Sequence, residues 1–200
     1  LSPMMIAVNT DLPVRTVAEL IALAKARPGK YSFGTSSSRN IPHFTGAMLN
    51  NLAGIDLVHV PYKSNAQAAQ EAISGLTHMY IDGVPPISAH MKSGRLRVIG
   101  VSSPQRLPNF PDIPAVAETL PGYQISGWFA IMAPTGTPAA VIGRVNQDVN
   151  SVVKIPEIAD RLLGFGIYGP GGTPEELGRF LRSERENYAK AVKAAGVLPE

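Results

Sequence analysis

The sequence predicts an α/β fold with two lobes built on parallel-rich sheets, and three observations support this prediction. Three short apolar segments, residues 31–34, 57–60 and 78–82, each lead into a polar turn. A pattern of helical spacing follows each turn, and strands joined through helices form a parallel sheet with right-handed crossovers. The alternation stops after residue 101. The second half therefore predicts a second lobe rather than a continuation of one sheet.

The composition is that of a folded globular protein. Hydrophobic residues make up 44% and charged residues 16% of the 200 residues, which excludes a disordered chain. The net charge is +3 and the 18 lysines and arginines are scattered, so the sequence predicts no nucleic-acid partner. No apolar run of about 18 residues is present, so we expect no membrane insertion. The absence of cysteine excludes disulfides and a cysteine nucleophile.

Local signals mark the first predicted elements. The apolar run over residues 1–8 predicts a strand, and it lacks the basic start and cleavage site of a signal peptide. Thr16 and Glu19 form a capping box at the start of a helix that ends before Pro28. After the strand at 31–34, residues 42–52 predict a second helix.

The next elements continue the same alternation. Ser64, with Gln67 three residues later, predicts the start of a third helix that ends at Gly75. A short helix over residues 85–92 and a strand over 96–101 complete the first half.

The composition changes in the second half. Five prolines between residues 102 and 122 predict an extended surface connection with one short helix at 115–119. Residues 125–133 predict a long apolar strand that contains the single tryptophan, Trp128. Three helices are expected after it, beginning near Pro138, Pro156 and Pro174.

A polar turn after the strand at residues 31–34 is the strongest candidate for a binding site. It combines five hydroxyl or amide side chains with one guanidinium and no carboxylate: Thr35, Ser36, Ser37, Ser38, Arg39 and Asn40. In a parallel sheet such turns meet beyond the carboxyl ends of the strands, where helix amino termini present N–H groups to a ligand. The turn therefore predicts a site for a small anion.

These side chains also have purely structural interpretations. Arg39 can clamp a carboxylate with its planar fork, or it can be a solvated surface arginine. The threonine and serine hydroxyls can contact a ligand or cap the following helix. We favour ligand contact for at least one of them.

Further candidates follow the other strands. Asp82, with Gly83 after it, can orient a water, a ligand amine or a ligand hydroxyl, or it can simply cap its turn. Tyr62 can lie over the ligand or pack beneath the loop. Trp128 is interpreted as hinge packing rather than a platform for a sugar, because its flanks are apolar.

The sequence contains no motif that supports catalysis or metal binding. Residues 34–38 resemble a nucleophile elbow, but the G-x-S-x-G pattern fails at its last glycine. The four histidines lack H-E-x-x-H spacing and an evident carboxylate partner: His43, His59, His78 and His90. We therefore expect no enzyme activity, no metal and no cofactor.

Six motifs spread along the chain carry a family resemblance. They are YSFGTS at residues 31–36, HVPYK at 59–63, ID at 81–82, PDIPAVAE at 111–118, WF with APTGTP between 128 and 138, and GGTPEE at 171–176. Together, over essentially all 200 residues, they closely resemble the Bug family, the extracytoplasmic solute receptors of tripartite tricarboxylate transporters.

This resemblance implies a type II periplasmic-binding-protein fold, a Venus flytrap that holds a small, usually carboxylated ligand between its lobes. It implies that residues 1–12 are a hinge strand from the first lobe, residues 13–126 the second lobe, and residues 127–200 a returning segment that completes the first. It also implies that an amino-terminal portion is absent from this sequence, including a secretion signal and a glycine-rich ligand loop.

By the same resemblance the protein is a periplasmic receptor. It would bind a small organic acid or amino acid and deliver it to membrane transporter subunits. The family is glycine-rich where this chain has Ser-Ser-Arg-Asn at residues 37–40, so we expect an altered carboxylate pocket. The alternatives are the effector-binding domain of a cytoplasmic transcription regulator, which shares the fold, and a serine-dependent hydrolase. An upstream signal peptide or helix-turn-helix would separate transport from regulation.

The apolar helix faces after residue 127 predict a partner. Val141, Val145 and Val149 recur at helical spacing, and in the family such a face packs on strands drawn from the amino-terminal part. We therefore expect an associated fragment, a second copy of the chain or neighbours in a crystal to cover it, since a large exposed apolar patch is unusual.

Overall fold

The computed structural model describes residues 1–196. Within this range the strands are β1 (Ser2–Asn9), β2 (Ser32–Thr35), β3 (Val58–Pro61), β4 (Met79–Gly83), β5 (Leu96–Val101) and β6 (Ser126–Gly127). The α-helices are α1 (Val17–Ala26), α2 (Ile41–Ala53), α3 (Asn65–Ser74), α4 (Val84–Lys92), α5 (Ala139–Val152), α6 (Pro156–Gly164) and α7 (Pro174–Ala194). The predicted short helix of the proline-rich connection is a 3₁₀ turn at Val116–Glu118.

The strands form a mixed sheet in the order β3-β2-β4-β1-β5. β2 pairs in parallel with both β3 and β4, as predicted for strands joined through helices. β1 lies between β4 and β5 and runs antiparallel to both. The α/β fold is therefore confirmed, and the first strand of the chain lies inside the sheet, between β4 and the edge strand β5.

The predicted capping signals fix the helix boundaries. Thr16 Oγ1 accepts a hydrogen bond from the Glu19 amide at 3.2 Å, while the Glu19 carboxylate accepts one from the Thr16 amide. Ser64 caps α3 by accepting from the Gln67 amide. α3 ends at Gly75, whose φ of 82° is a left-handed conformation that glycine adopts without steric cost.

Apolar side chains cover both faces of the sheet. One face packs against α1, α2 and α7, with Ile6 and Leu49 fully buried. The other packs against α3 and α4, with Met5 and Tyr80 fully buried. Because side chains alternate along a strand, neighbours such as Met5 and Ile6 serve opposite layers. This double coverage holds the carboxyl ends of β2 and β4 in fixed positions.

The largest departure from the sequence prediction is the strand expected over residues 125–133. Only Ser126 and Gly127 form a strand, by pairing with Pro3 and Ser2 at the start of β1. Residues 128–133 have no strand beside them within the described chain, and a strand needs a neighbour for its backbone hydrogen bonds. The prediction of a long strand was therefore wrong for this structure.

The helices that follow residue 127 are present but loosely packed. α5 and α6 bury no residue among those described. Exposed large apolar side chains in this part of the chain are Phe129, Ile131, Met132, Val141, Ile142, Val145, Val152, Ile155 and Phe165. A covering partner for this face, and the division of the chain into hinge strand and two lobes, stay predictions. Within residues 1–196, no helix has the length and apolar character to cross a membrane.

Candidate functional site

A cavity of about 600 Å³ lies at the carboxyl ends of β2 and β4, beside the start of β1. This is the edge of the sheet at which α/β proteins bind their ligands, and the volume suits a small molecule. The start of α2 and the end of β4 supply part of the lining: Asn40, Ile41, Pro42, Asp82 and Gly83. The facing elements supply Ser2, Met4, Gly127, Trp128, Phe129 and Tyr188.

Three of the residues predicted for the site line this cavity: Asn40, Asp82 and Gly83. The other predicted residues lie outside its lining: Thr35, Ser36, Ser37, Ser38, Arg39 and Tyr62. Their contact with a ligand stays a prediction.

Internal contacts hold the turn after β2 in shape. Thr35 is fully buried, and its hydroxyl donates to the Ser37 carbonyl at 2.8 Å and bonds His59 Nε2 at 2.7 Å. Tyr62 packs against the turn, since its ring lies 3.1 Å from the position that a Cβ on Gly34 would take. These groups set the course of the chain toward α2.

Arg39 adopts an unusual backbone conformation within this turn. Its φ of 61° makes it the single non-glycine residue of the described chain in the left-handed region. Its amide donates to His43 Nδ1 at 3.2 Å, and its side chain is exposed. The left-handed backbone turns the chain into α2 at a position where the sequence lacks the glycine that this conformation favours.

The first turn of α2 lines the cavity and directs the amino-terminal end of the helix dipole toward it. The partial positive charge of a helix amino terminus favours an anion there. Fewer N–H groups are open than the sequence suggested, because Asn40 Oδ1 accepts from the His43 amide at 3.0 Å and Pro42 has no N–H. Within residues 1–196, the Ile41 amide has no partner. Any anion held here therefore relies on that amide and on the helix dipole.

Asp82 is the charged side chain among the residues that line the cavity in the described chain. It is 9% exposed. Its Oδ1 accepts from the Gly83 amide at 2.8 Å, and its Oδ2 accepts from the Tyr80 hydroxyl. Burial raises the pKa of the Asp82 carboxyl, and these two hydrogen bonds oppose that rise.

Aromatic side chains from distant parts of the chain form the facing wall. The Trp128 ring meets Phe180 of α7 edge-on, with centroids 5.9 Å apart. Tyr188, also on α7, donates its hydroxyl to the Ser126 carbonyl at 2.6 Å, and burial raises the pKa of Tyr188 to about 12. The sequence interpretation favoured hinge packing for Trp128 and did not place it in the lining. The sequence feature that could have indicated this position is the pair of aromatic residues, Trp128 and Phe129, directly after β6.

His43, in the first turn of α2, stacks against His59 of β3. The rings of His43 and His59 are parallel within 13°, with centroids 4.0 Å apart. Because Thr35 donates to a carbonyl, it accepts the Nε2–H of His59, and His43 Nδ1 accepts from the Arg39 amide. Burial and the neighbouring His43 lower the pKa of His59 to about 4. Residues 1–196 contain no group of three or more potential metal ligands.

The histidine stack predicts a loss of stability in mild acid. The unfolded chain protonates a histidine near pH 6.5, whereas folded His59 takes up its proton near pH 4. The unfolded state therefore binds more protons between these values, and stability falls as pH decreases through this window. We expect a loss of about 1–3 kcal/mol in the free energy of unfolding from this residue, measured by urea unfolding at each pH.

The matched variants are His59→Gln, which cannot titrate, and His90→Gln, a histidine of α4 outside the stack. The slope between pH 6.5 and 4 should flatten in the first variant and persist in the second. An unchanged slope in His59→Gln would show that other groups set the acid sensitivity.

Comparison with known proteins shows which family has this sequence and this fold. The profile of the tripartite tricarboxylate transporter family receptor, TctC, matches residues 1–197. The chain is 33% identical over 192 residues to the "UPF0065 protein in tcbD-tcbE intergenic region" of Pseudomonas sp. (strain P51), covering 95% of this chain and 57% of that protein. It therefore spans little more than half the length of this curated relative.

Solved structures show the same fold. R. palustris Rpa4515, determined with adipate, matches with a TM-score of 0.86 and 29% identity, covering 100% of this chain and 67% of that one. The periplasmic binding protein BugD matches with a TM-score of 0.79 and 25% identity, covering 100% of this chain and 68% of that one. The resemblance to the Bug receptors and the predicted binding-protein fold are confirmed. These families are binding receptors rather than enzymes, as the sequence predicted.

Proposed function

The chain belongs to the tripartite tricarboxylate transporter family receptors, and we propose that it captures a small carboxylated solute and delivers it to a membrane transporter. The cavity at the carboxyl ends of β2 and β4 is the observation that carries this proposal. It combines a helix amino terminus with an open, mostly apolar wall.

The carboxylate is the part of the solute that the first turn of α2 would hold. The Ile41 amide and the dipole of the 13-residue helix α2 both favour a negative group at this point. R. palustris Rpa4515, which shares the fold over the whole of this chain, was determined with the dicarboxylate adipate. Each such interaction contributes about 0.3–2 kcal/mol, so binding needs a second jaw that excludes water.

The site of action that we propose is the periplasm. BugD is a periplasmic binding protein and shares the fold at a TM-score of 0.79. A receptor there would close on its solute and present it to the transporter subunits in the membrane.

A thermal-shift screen of organic acids on the intact protein tests this proposal. Mono-, di- and tricarboxylates, including adipate, are added at several concentrations, with the matching neutral amides as controls. An acid at 100 times its dissociation constant should add about 2.7 kcal/mol of stability, whereas its amide should add none. The proposal fails when no carboxylate raises the melting temperature, or when the amides raise it equally.

A further inference from the structure

We propose that Asp82 selects carboxylates that carry a hydrogen-bond donor, a hydroxyl or an ammonium group, close to the carboxylate. This inference rests on the proposed function and deepens it by naming the chemistry of the solute. It starts from an apparent contradiction: a site for an anion contains a buried acid.

The charges around the cavity make Asp82 an unusual neighbour for an anion. Among the lining residues that the structure describes there is no lysine or arginine to neutralise it. A plain dicarboxylate would therefore place a second negative group beside Asp82 without compensation. A solute with a donor at that point would instead offset the carboxylate's charge or hydrogen-bond to it.

The hydrogen bonds of Asp82 define it as an acceptor. The Gly83 amide donates to Oδ1 at 2.8 Å and the Tyr80 hydroxyl donates to Oδ2, so both oxygens receive donors from the protein. An ionised carboxylate offers about four lone-pair positions, and these contacts use two of them. Because Asp82 lines the cavity, its two remaining lone-pair positions can accept hydrogen bonds from a bound solute.

The first turn of α2 and Asp82 line the same cavity, which has a volume of about 600 Å³. Asp82 lies at the end of β4, and the turn after β2, the strand that pairs with β4, leads to α2. A solute with a donor close to its carboxylate therefore suits a site that offers both a helix amino terminus and the Asp82 carboxylate.

Two matched series of acids test the proposal by calorimetry on the intact protein. The four-carbon series is succinate, malate and aspartate, and the six-carbon series is adipate, 2-hydroxyadipate and 2-aminoadipate. Within a series the skeleton is constant and the group next to one carboxylate changes. In at least one series we expect a hydroxy or amino acid to bind at least tenfold more tightly than the unsubstituted acid.

Two variants assign the preference to a residue. Asp82→Asn keeps the shape and removes the charge, and it should reduce the preference to less than threefold. Asp56→Asn removes a carboxylate at the exposed amino-terminal end of β3, and it should leave the preference unchanged. The melting temperature of each variant is measured alongside, and when Asp82→Asn fails to fold, the preference of the natural protein decides.

The outcomes separate this inference from the proposed function. Equal binding within each series, or tighter binding of the unsubstituted acids, overturns the role of Asp82 while carboxylate capture stands. A preference that survives in folded Asp82→Asn overturns it too. If no acid of the screen or of either series binds, the proposed function fails and this inference fails with it.

Discussion

Replacing Gly83 with tryptophan is expected to weaken carboxylate binding by at least tenfold while leaving the protein folded. Gly83 lines the cavity with a φ of −63°, a conformation that any residue adopts. A Cβ added there meets nothing closer than Pro85 Cδ at 3.9 Å, so the new side chain has room to enter the cavity. The indole ring would occupy space that the solute needs. Calorimetry with the most stabilising acid of the screen measures the loss.

The control for this variant is Ala89→Trp, an exposed position on α4, the helix that begins directly after Gly83. It adds nearly the same bulk to α4 outside the cavity lining, so affinity should stay within about twofold of the natural protein. Unchanged affinity in Gly83→Trp, with a normal melting temperature, would place the solute elsewhere.

Replacing Gly46 with alanine is expected to lower the free energy of unfolding by about 1–3 kcal/mol. An added Cβ on Gly46 of α2 would overlap the ring of Phe33, which is 1% exposed in the core. The ring cannot move aside without disturbing the packing of β2 against α2. This loss should exceed the gain of about 1 kcal/mol that alanine brings to a helix interior. Urea unfolding of the intact protein measures the difference.

Gly143→Ala on α5 is the matched control, because an added Cβ there meets nothing within 4 Å. That variant should gain about 0.5–1 kcal/mol from helix propensity alone. If Gly46→Ala is as stable as Gly143→Ala, the Phe33 ring can move aside, and the packing of α2 on β2 is not as tight as the structure indicates.

The local features of the fold could be predicted because their causes are local. The Thr16 and Glu19 box and the Gly75 helix end involve residues three to ten positions apart, and the structure contains both. The course of β1 could not be predicted, since its partners on β4 and β5 are more than 70 residues away. The strand expected at 125–133 failed for the same reason: its apolar pattern indicated strand character, but pairing depends on a neighbour.

The candidate site also contains residues that could be predicted from the sequence and residues that could not. Asn40, Asp82 and Gly83 could be found because turns after parallel strands meet at one edge. Tyr188 could not, since it reaches the cavity from α7, more than 100 residues after Asp82. The hydroxyl of Thr35 was correctly placed near this edge, but the sequence did not reveal that a histidine and a carbonyl already occupy it.

The most direct test of the central claim is a crystal structure of the intact protein saturated with the most stabilising acid of the screen. We predict that the acid occupies the cavity between the first turn of α2 and Asp82, with a carboxylate oxygen within hydrogen-bond distance of the Ile41 amide. An acid bound at another place, with this cavity filled by water alone, would contradict the assignment of the site.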